Sequence, residues 1–419
     1  MASSRKAEHD GQPVYNGPFM KHLVPTSVAF TLYLSAAVAL GPLSTDMYLP
    51  IFPMLAAVFH ATAADVQLTL SIFTFSIGGC QLIYGPITDR FGRKPVIVIG
   101  LLIYIFASFA CLYAVDINQL IFLRFLQAFG VCAAIVIPRA MVRDLYPREQ
   151  AARQLSRMGT IMGLAPAIAP IIGGYLTAYF GWHAVFIFMG TVALLIAATT
   201  NFLVGESLTV RDMNALRPAH IVRNYWALLR HREFLGFSLA GGLCFSGLFS
   251  FISGSPLVLI EYFGVPPARF GYYFGMVVIG FMTGTLVGPA LTARRGLLFS
   301  VQSGTLISAA AGITMAALAY AGVDAIAAVV APMVFYTLGM GIVLPQSQAG
   351  SMAPFPEKAG SASALMGFLM LGFAAIIGYF VAFFYDGTPI AMVSAIAMMG
   401  ILSALSFWLM RARESRSAG

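Results

Sequence analysis

Charge is what this 419-residue chain has least of. Only 10% of its residues are Asp, Glu, Lys or Arg, against 59% apolar. A soluble domain carries about a quarter charged residues, so a chain this poor in charge has no polar coat for a surface in water. Lysine is scarcer still. Lys6, Lys21, Lys94 and Lys358 are followed by Ala, His, Pro and Ala. A Walker A loop needs Gly-Lys followed by Ser or Thr, so an ATP motor of that type is excluded. Energy then comes from a gradient, unless a separate subunit supplies it. None of the six histidines lies inside an apolar block. The four cysteines, Cys80, Cys111, Cys132 and Cys244, all do, and none has ligand spacing. They read as small core residues, with no disulfide and no metal. An enzyme in the membrane would need titratable or metal-binding side chains clustered at a membrane face, and no such grouping is evident. The expectation is a protein that is not an enzyme and needs no cofactor.

What the chain has in abundance is apolar blocks of about 20 residues, the length that crosses about 30 Å of hydrocarbon as a helix. Twelve can be read, at 24–58, 66–84, 96–115, 120–141, 155–179, 184–204, 234–257, 270–291, 297–321, 325–343, 362–384 and 390–410. The apolar/polar alternation of a membrane barrel is absent. The fold class expected is an all-α polytopic membrane protein with twelve transmembrane helices. No cleavable signal is evident, because the polar stretch up to Lys21 carries acids and the first block is too long for a signal's apolar region.

The formal net charge of +8 does not point to nucleic acid, because the basic residues sit in the short gaps between blocks. Of 24 Lys and Arg, 21 fall in the two tails and in alternate gaps; the opposite set of gaps holds only Arg269, and Arg124 and Arg139 lie within the fourth block. The positive-inside rule makes the 21-charge side cytoplasmic and places both termini there. The expected layout is a cytoplasmic tail (1–23), six helices (24–204), a cytoplasmic central loop (205–233), six helices (234–410) and a cytoplasmic tail (411–419). A trace of repetition supports related halves: Gly85-Pro86-Ile87-Thr88-Asp89-Arg90 after the second block is echoed by Gly288-Pro289-Ala290-Leu291-Thr292-Ala293-Arg294 after the eighth. Related halves with a site between them near the bilayer midplane are the architecture of many secondary transporters.

Asp46 is the one acid placed inside a block. A carboxyl group in hydrocarbon costs on the order of 2.5–3.5 kcal/mol or more, which makes it a functional candidate by default. Desolvation favours its neutral, protonated form, and a neighbouring guanidinium favours the charged form; a change that tips this balance would load or release a proton. Arg124, at comparable depth in the outer half of the bilayer by residue count, is the natural partner. A second reading, compatible with the first, is that Ser44, Thr45 or Asp46 caps a half-helix restarting after a break at Gly41-Pro42. Arg139 lies nearer the inside end of its helix and is expected to snorkel to the cytoplasmic headgroups.

Gly85-Pro86-Ile87-Thr88-Asp89-Arg90-Phe91-Gly92-Arg93-Lys94-Pro95 resembles the loop 2–3 signature of the major facilitator superfamily. Ser44-Thr45-Asp46-Met47-Tyr48-Leu49-Pro50 looks like the drug exporters of its bicyclomycin/chloramphenicol-resistance (Bcr/CflA) branch. Leu120 to Gly130, with Arg124 and Gln127, resembles the helix 4 motif of drug/proton antiporters. Ala165-Pro166-Ala167-Ile168-Ala169-Pro170-Ile171-Ile172-Gly173-Gly174 resembles their helix 5 motif. Ala128 and Ala169 depart from the glycines often found there, and the second acid some drug exporters carry before the Asp46 position is missing, as at Val38.

The resemblance, which spans the chain from the first helix to the twelfth, implies the major facilitator fold of two six-helix halves. It implies multidrug efflux by proton antiport from a bacterial inner membrane, with antibiotic resistance as the outcome. In that frame Asp46 and Arg124 carry the proton. Gly85, Asp89, Arg90, Gly92 and Arg93 form a gating loop, with Gly92 in a tight turn and Arg90 or Arg93 paired with an acid of the other half when the cytoplasmic side is closed; the alternative is a topology signal and no more. Pro166, Pro170, Gly173 and Gly174 make either a hinge and seal between halves or ordinary close packing. Tyr48, Gln67, Gln81, Phe245, Phe249, Tyr272, Tyr273 and Tyr336 are guessed to line an apolar cavity with few polar handles. The partners expected are a small-molecule substrate, protons and the bilayer, with no nucleic acid, and the chain is expected to be a monomer. The competing reading is a proton-coupled transporter of one defined metabolite, such as an amino acid.

Overall fold

A computed structural model describes residue 25 and residues 27–213, 215–355 and 358–417. The expected tail at 1–23 lies outside the described residues. Among those described, twelve helical segments are long and apolar enough to cross a membrane. The first span is α1 (Val28–Asp46) continued by α2 (Phe52–Val58); α3 (Ala63–Phe91), α4 (Arg93–Ala110), α5 (Ile117–Leu145), α6 (Arg148–Phe180) and α7 (His183–Leu203) complete the first six. A short helix, α8 (Pro218–Leu229), follows. The last six are α9 (Arg232–Ser255), α10 (Pro267–Arg295), α11 (Leu297–Tyr320), α12 (Ile326–Met352), α13 (Ala359–Phe383) and α14 (Ile390–Ser417).

Local chemistry sets several of these starts. Ser27 Oγ accepts from the Phe30 amide at 3.1 Å. Thr62 and Asp65 form a reciprocal capping box on α3. Asp116 accepts from the Gln119 amide at 2.8 Å to open α5. Each supplies an acceptor for amides that have no partner within the first turn.

The helices outrun the apolar blocks. The α3 helix has 29 residues, about 43 Å, so it projects beyond the hydrocarbon. The segment expected as a loop at 85–91 is therefore the last turns of α3, and Gly92 alone separates it from α4. The expected loop at 205–233 contains α8, and α14 carries the last span to Ser417. The first span corrects the other boundary. Pro42 sits inside an unbroken α1, and the chain leaves the α-helix after Asp46, through a 3-10 turn over Leu49–Ile51 before α2. Pro50 and Pro53 lack the amides a continuing helix would need. At Pro42 the hydroxyls of Ser44 and Thr45 donate to the Leu40 and Pro42 carbonyls, at 2.6 and 3.0 Å. Asp46 thus ends α1, and the 3-10 turn has no side-chain cap.

Two helix pairs join the halves. The α3 helix packs along α13 and α6 along α10. One apolar core runs through both halves, with a small second cluster around Leu228, Phe234 and Leu365, and the largest fully buried side chain among the described residues is Arg124.

Candidate coupling site, seam and cavity

Asp46 is 4% exposed and accepts a hydrogen bond from Thr45 Oγ1 at 2.9 Å. Arg124, on α5, reaches the same region and does not pair with it. Its Nη2 donates to the Ser44 carbonyl at 3.1 Å, its Nη1 donates to Gln127 Oε1, and its guanidinium lies over the rings of Phe73 (4.0 Å) and Tyr48 (4.3 Å). The two residues meet the same two turns of α1, as their common depth suggested, with the backbone of Ser44 standing where the carboxylate was expected. Polar satisfaction spreads outward. Gln127 Nε2 donates to Ser108 Oγ at 2.7 Å, and the Ser44 and Tyr104 hydroxyls are 2.5 Å apart. One donor is left over: Arg124 Nε, buried, has no partner. Tyr48 belongs to this shell, fully buried with its hydroxyl 2.6 Å from Thr69 Oγ1.

The gating motif is built around Gly92, whose φ of +100° an L side chain rarely adopts. A Cβ there would stand 2.5 Å from Glu206 Oε2. That space is occupied because Glu206, just past α7, caps α4: its carboxylate accepts from the amides of Arg93 at 2.9 Å and Lys94 at 3.2 Å. The Arg93 side chain then turns back into its own half, with Nη1 on Asp89 Oδ1 at 2.6 Å and Nε on Asp144 Oδ2 at 2.9 Å. The contact expected with the other half belongs to the closed state; at this open end Asp89 of α3 and Asp144 of α5 hold Arg93. Arg90 lies over the neighbouring Phe91 ring at 5.5 Å. Gly85 lines the cavity described below. Glu206 and Asp144 escaped sequence reasoning. Their only trace is Arg93, whose amide and side chain find partners 113 and 51 residues away.

The helix 5 motif lies on a seam between halves. Gly173 abuts the Met47 backbone, next to Asp46, and Gly174 abuts the Pro267 carbonyl of α10. In return a Cβ on Gly271 would meet the Ile171 amide nitrogen at 2.5 Å, while one on Gly275 would clear the Ala167 carbonyl at 4.0 Å. The Tyr175 and Tyr272 hydroxyls close the line at 3.0 Å. Clearance thus grows toward the end of α6 near Arg148, and at Gly163 the same test finds open space. Pro166 and Pro170 sit within the continuous helix over this stretch, each removing one backbone hydrogen bond. A second seam runs along α3, where Gln67 Nε2 donates to Ser253 Oγ at 2.7 Å and Gly78 packs on Leu371 and Phe368.

Both seams part toward the end that carries the basic gaps. A cavity of about 710 Å³ opens there, lined by Gln81 and Gly85 of α3, Arg139 and Arg143 of α5, Tyr225 of α8 and Ser361 of α13, among others. Arg139 therefore faces an internal cavity, where a snorkelling residue would face lipid. The reason is its place on the face of α5 that also presents Val136, Ala140 and Arg143 to the cavity. Of the guessed substrate contacts, Gln81 lines this cavity and Gln67 bridges the α3 seam. Tyr336 is core, fully buried with its hydroxyl on the Cys244 carbonyl at 3.0 Å, and Phe249 packs against Gly378. Phe245 and Tyr273 are half-buried against the core, and Tyr272 is exposed at the α6 seam. Tyr336 and Phe249 pack inside the fold because a span rich in aromatics has more rings than a cavity can face.

The family model of the Major Facilitator Superfamily matches residues 34–379. The chain is similar to the bicyclomycin resistance protein homolog of Haemophilus influenzae, 30% identical over 392 residues that cover 93% of this chain and 98% of that protein. It is similar to the chloramphenicol resistance protein of Pseudomonas aeruginosa, 27% identical over 354 residues, 82% of each. In fold it is similar to the xylose transporter XylE from E. coli in a partially occluded inward open conformation, with a TM-score of 0.70, 15% identity, and 91% of this chain and 96% of that one covered. At that identity the likeness speaks for the fold alone.

Proposed function

The chain belongs to the major facilitator superfamily, in its bicyclomycin- and chloramphenicol-resistance branch, and from that premise we propose that it exports small amphipathic or apolar compounds, such as antibiotics, in exchange for protons. As a multi-pass membrane transporter of small molecules it is not an enzyme. The basic end is cytoplasmic by the charge rule, the membrane is a bacterial inner membrane, and the chain works as a monomer.

The observation that carries the coupling role is Asp46: a buried acid at the point where the first span leaves the α-helix, two residues from the carbonyl that holds Arg124. With the cytoplasmic end open, Asp46 has no ion-pair partner among the described residues. Arg124 keeps one buried donor, Nε, in reserve. Movement of the first span about its 3-10 turn, made while the cytoplasmic end is still open, brings that donor and the carboxylate together, so a proton taken up from the opposite side is released to the cytoplasm as the solute to be exported binds. Alternating access then consists of closing the α3 and α6 seams at one end as they part at the other.

The test uses inside-out vesicles with a lumen acidified by respiration and a pH-sensitive dye. Adding a lipophilic drug should make wild type release protons, and Asp46→Asn should abolish that response while the protein remains folded and inserted. An equal response from the variant moves the proton site elsewhere. A response to an amino acid and to no drug replaces drug export with the transport of that metabolite.

A further inference from the structure

The α8 helix has no part in the reading above, and its two faces have opposite surroundings. On one, Leu228 is fully buried against Phe234, Leu365 and Met366, and the Tyr225 hydroxyl donates to the Leu82 carbonyl at 2.9 Å. That face therefore holds both halves, α3 on one side and α9 and α13 on the other. Its edge, Ile221, Asn224 and Tyr225, lines the 710 Å³ cavity. On the other face Val222 is 65% exposed and Trp226 56%, with Arg223, Ala227 and Arg230 exposed beside them. The Arg230 guanidinium lies over the Trp226 indole at 4.9 Å.

Three features say what covers this face. Between Asp212 and Glu233 the chain carries Arg217, Arg223, Arg230 and Arg232 and no acid, so the occupant is anionic. Valine and tryptophan stand between the arginines, so it also offers apolar contact. Leu228 packs on Phe234, in the first turn of the span that starts at Arg232, so α8 lies at the depth where hydrocarbon gives way to headgroups. A cationic helix with an exposed indole at that depth matches the interfacial class of membrane helices.

We propose that the outer face of α8 docks on the anionic lipid headgroups of the leaflet at the basic end, so that a helix lining the transport cavity is held by lipid charge. The docking is independent of the solute carried and of the coupling ion.

The chain's three tryptophans make this testable. The full-length protein carrying Trp182→Phe and Trp408→Phe reports from Trp226 alone. It is reconstituted in phosphatidylcholine vesicles brominated near the headgroup, with increasing phosphatidylglycerol. Trp226 emission should be quenched, and quenching should deepen as phosphatidylglycerol rises. Arg223→Gln with Arg230→Gln should flatten that dependence, each arginine accounting for roughly a fivefold change in preference for the anionic lipid. If the double-Phe protein does not fold, the difference in quenching between the unaltered protein and Trp226→Phe gives the same reading. Absence of quenching overturns the docking, and quenching indifferent to phosphatidylglycerol overturns its charge.

Discussion

Two helix hairpins about 200 residues apart share a backbone design and differ in everything that surrounds it. The α3–α4 and α10–α11 pairs are each divided by a single glycine of positive φ, Gly92 at +100° and Gly296 at +86°. Around Gly92 there is no spare room: Glu206 caps the following helix, and Arg93 grips Asp89 and Asp144. Around Gly296 a Cβ would meet nothing among the described residues, Arg295 lies over Phe299 at 5.4 Å, and Thr292 and Ser300 share a 3.0 Å hydroxyl contact. The turn comes with the repeat, and among the described residues the ionic buttress belongs to the first half alone. A motif match at both sites would have assigned both the same work; the third residue that packs into the turn decides which one is braced.

The widest gap between the hairpins should appear on removing the arginines. Arg93→Ala leaves Asp144, whose side chain is only 19% exposed, with the Ser207 hydroxyl at 3.1 Å and no counter-charge, and should lower stability by about 3 kcal/mol in thermal unfolding of the purified protein. Arg295→Ala should leave the melting temperature where it is. If both variants melt alike, the buttress has no part in stability.

Next come the glycines. Gly92→Ala combines a backbone strain of about 1–3 kcal/mol, since φ +100° with ψ 158° is open to glycine alone, with displacement of the Glu206 carboxylate, whereas Gly296→Ala, at φ +86° and ψ 165°, carries the strain alone. The distinction sharpens in Gly92→Ala with Glu206→Ala, where the effects should be less than additive because the second change removes what the new methyl group strikes. Strict additivity would place the whole cost of Gly92→Ala in the backbone. The smallest shift belongs to Glu206→Gln, which keeps the size and loses one charged acceptor, at about 1–2 kcal/mol by the same melt. A neutral result there would make the cap a matter of shape and not of charge.

Much of this molecule can be read from its residues. Hydropathy alone places the twelve spans, and a motif places Asp46 in the first of them. What escapes is whatever depends on partners distant in sequence. Asp46 and Arg124 reach one depth, as counting residues implies, yet a carbonyl at Ser44 takes the guanidinium, and no pattern announces which carbonyl the last turn of a helix will present. Glu206 sits in a stretch that looked like plain linker, since an acid that caps a helix in trans has no spacing rule. The α8 helix hid in the same stretch, because its 12 residues carry polar and aromatic side chains in a period that a search for long apolar blocks passes over. Tyr48 and Tyr336 have the chemistry of cavity residues, yet each spends its hydroxyl on its own half of the fold.

The ladder in which Gly174 and Gly271 let α6 and α10 touch has a consequence at the level of the gene. Glycine codons differ from one another only in the third base, so every amino-acid replacement reachable by a single base change brings a side chain into a space already filled by backbone atoms of the other half. The strip is closed to stepwise adaptation. Drift in what the protein carries has to accumulate elsewhere, at positions such as Arg139 and Ser361 on the cavity wall, which lie away from the α6–α10 strip.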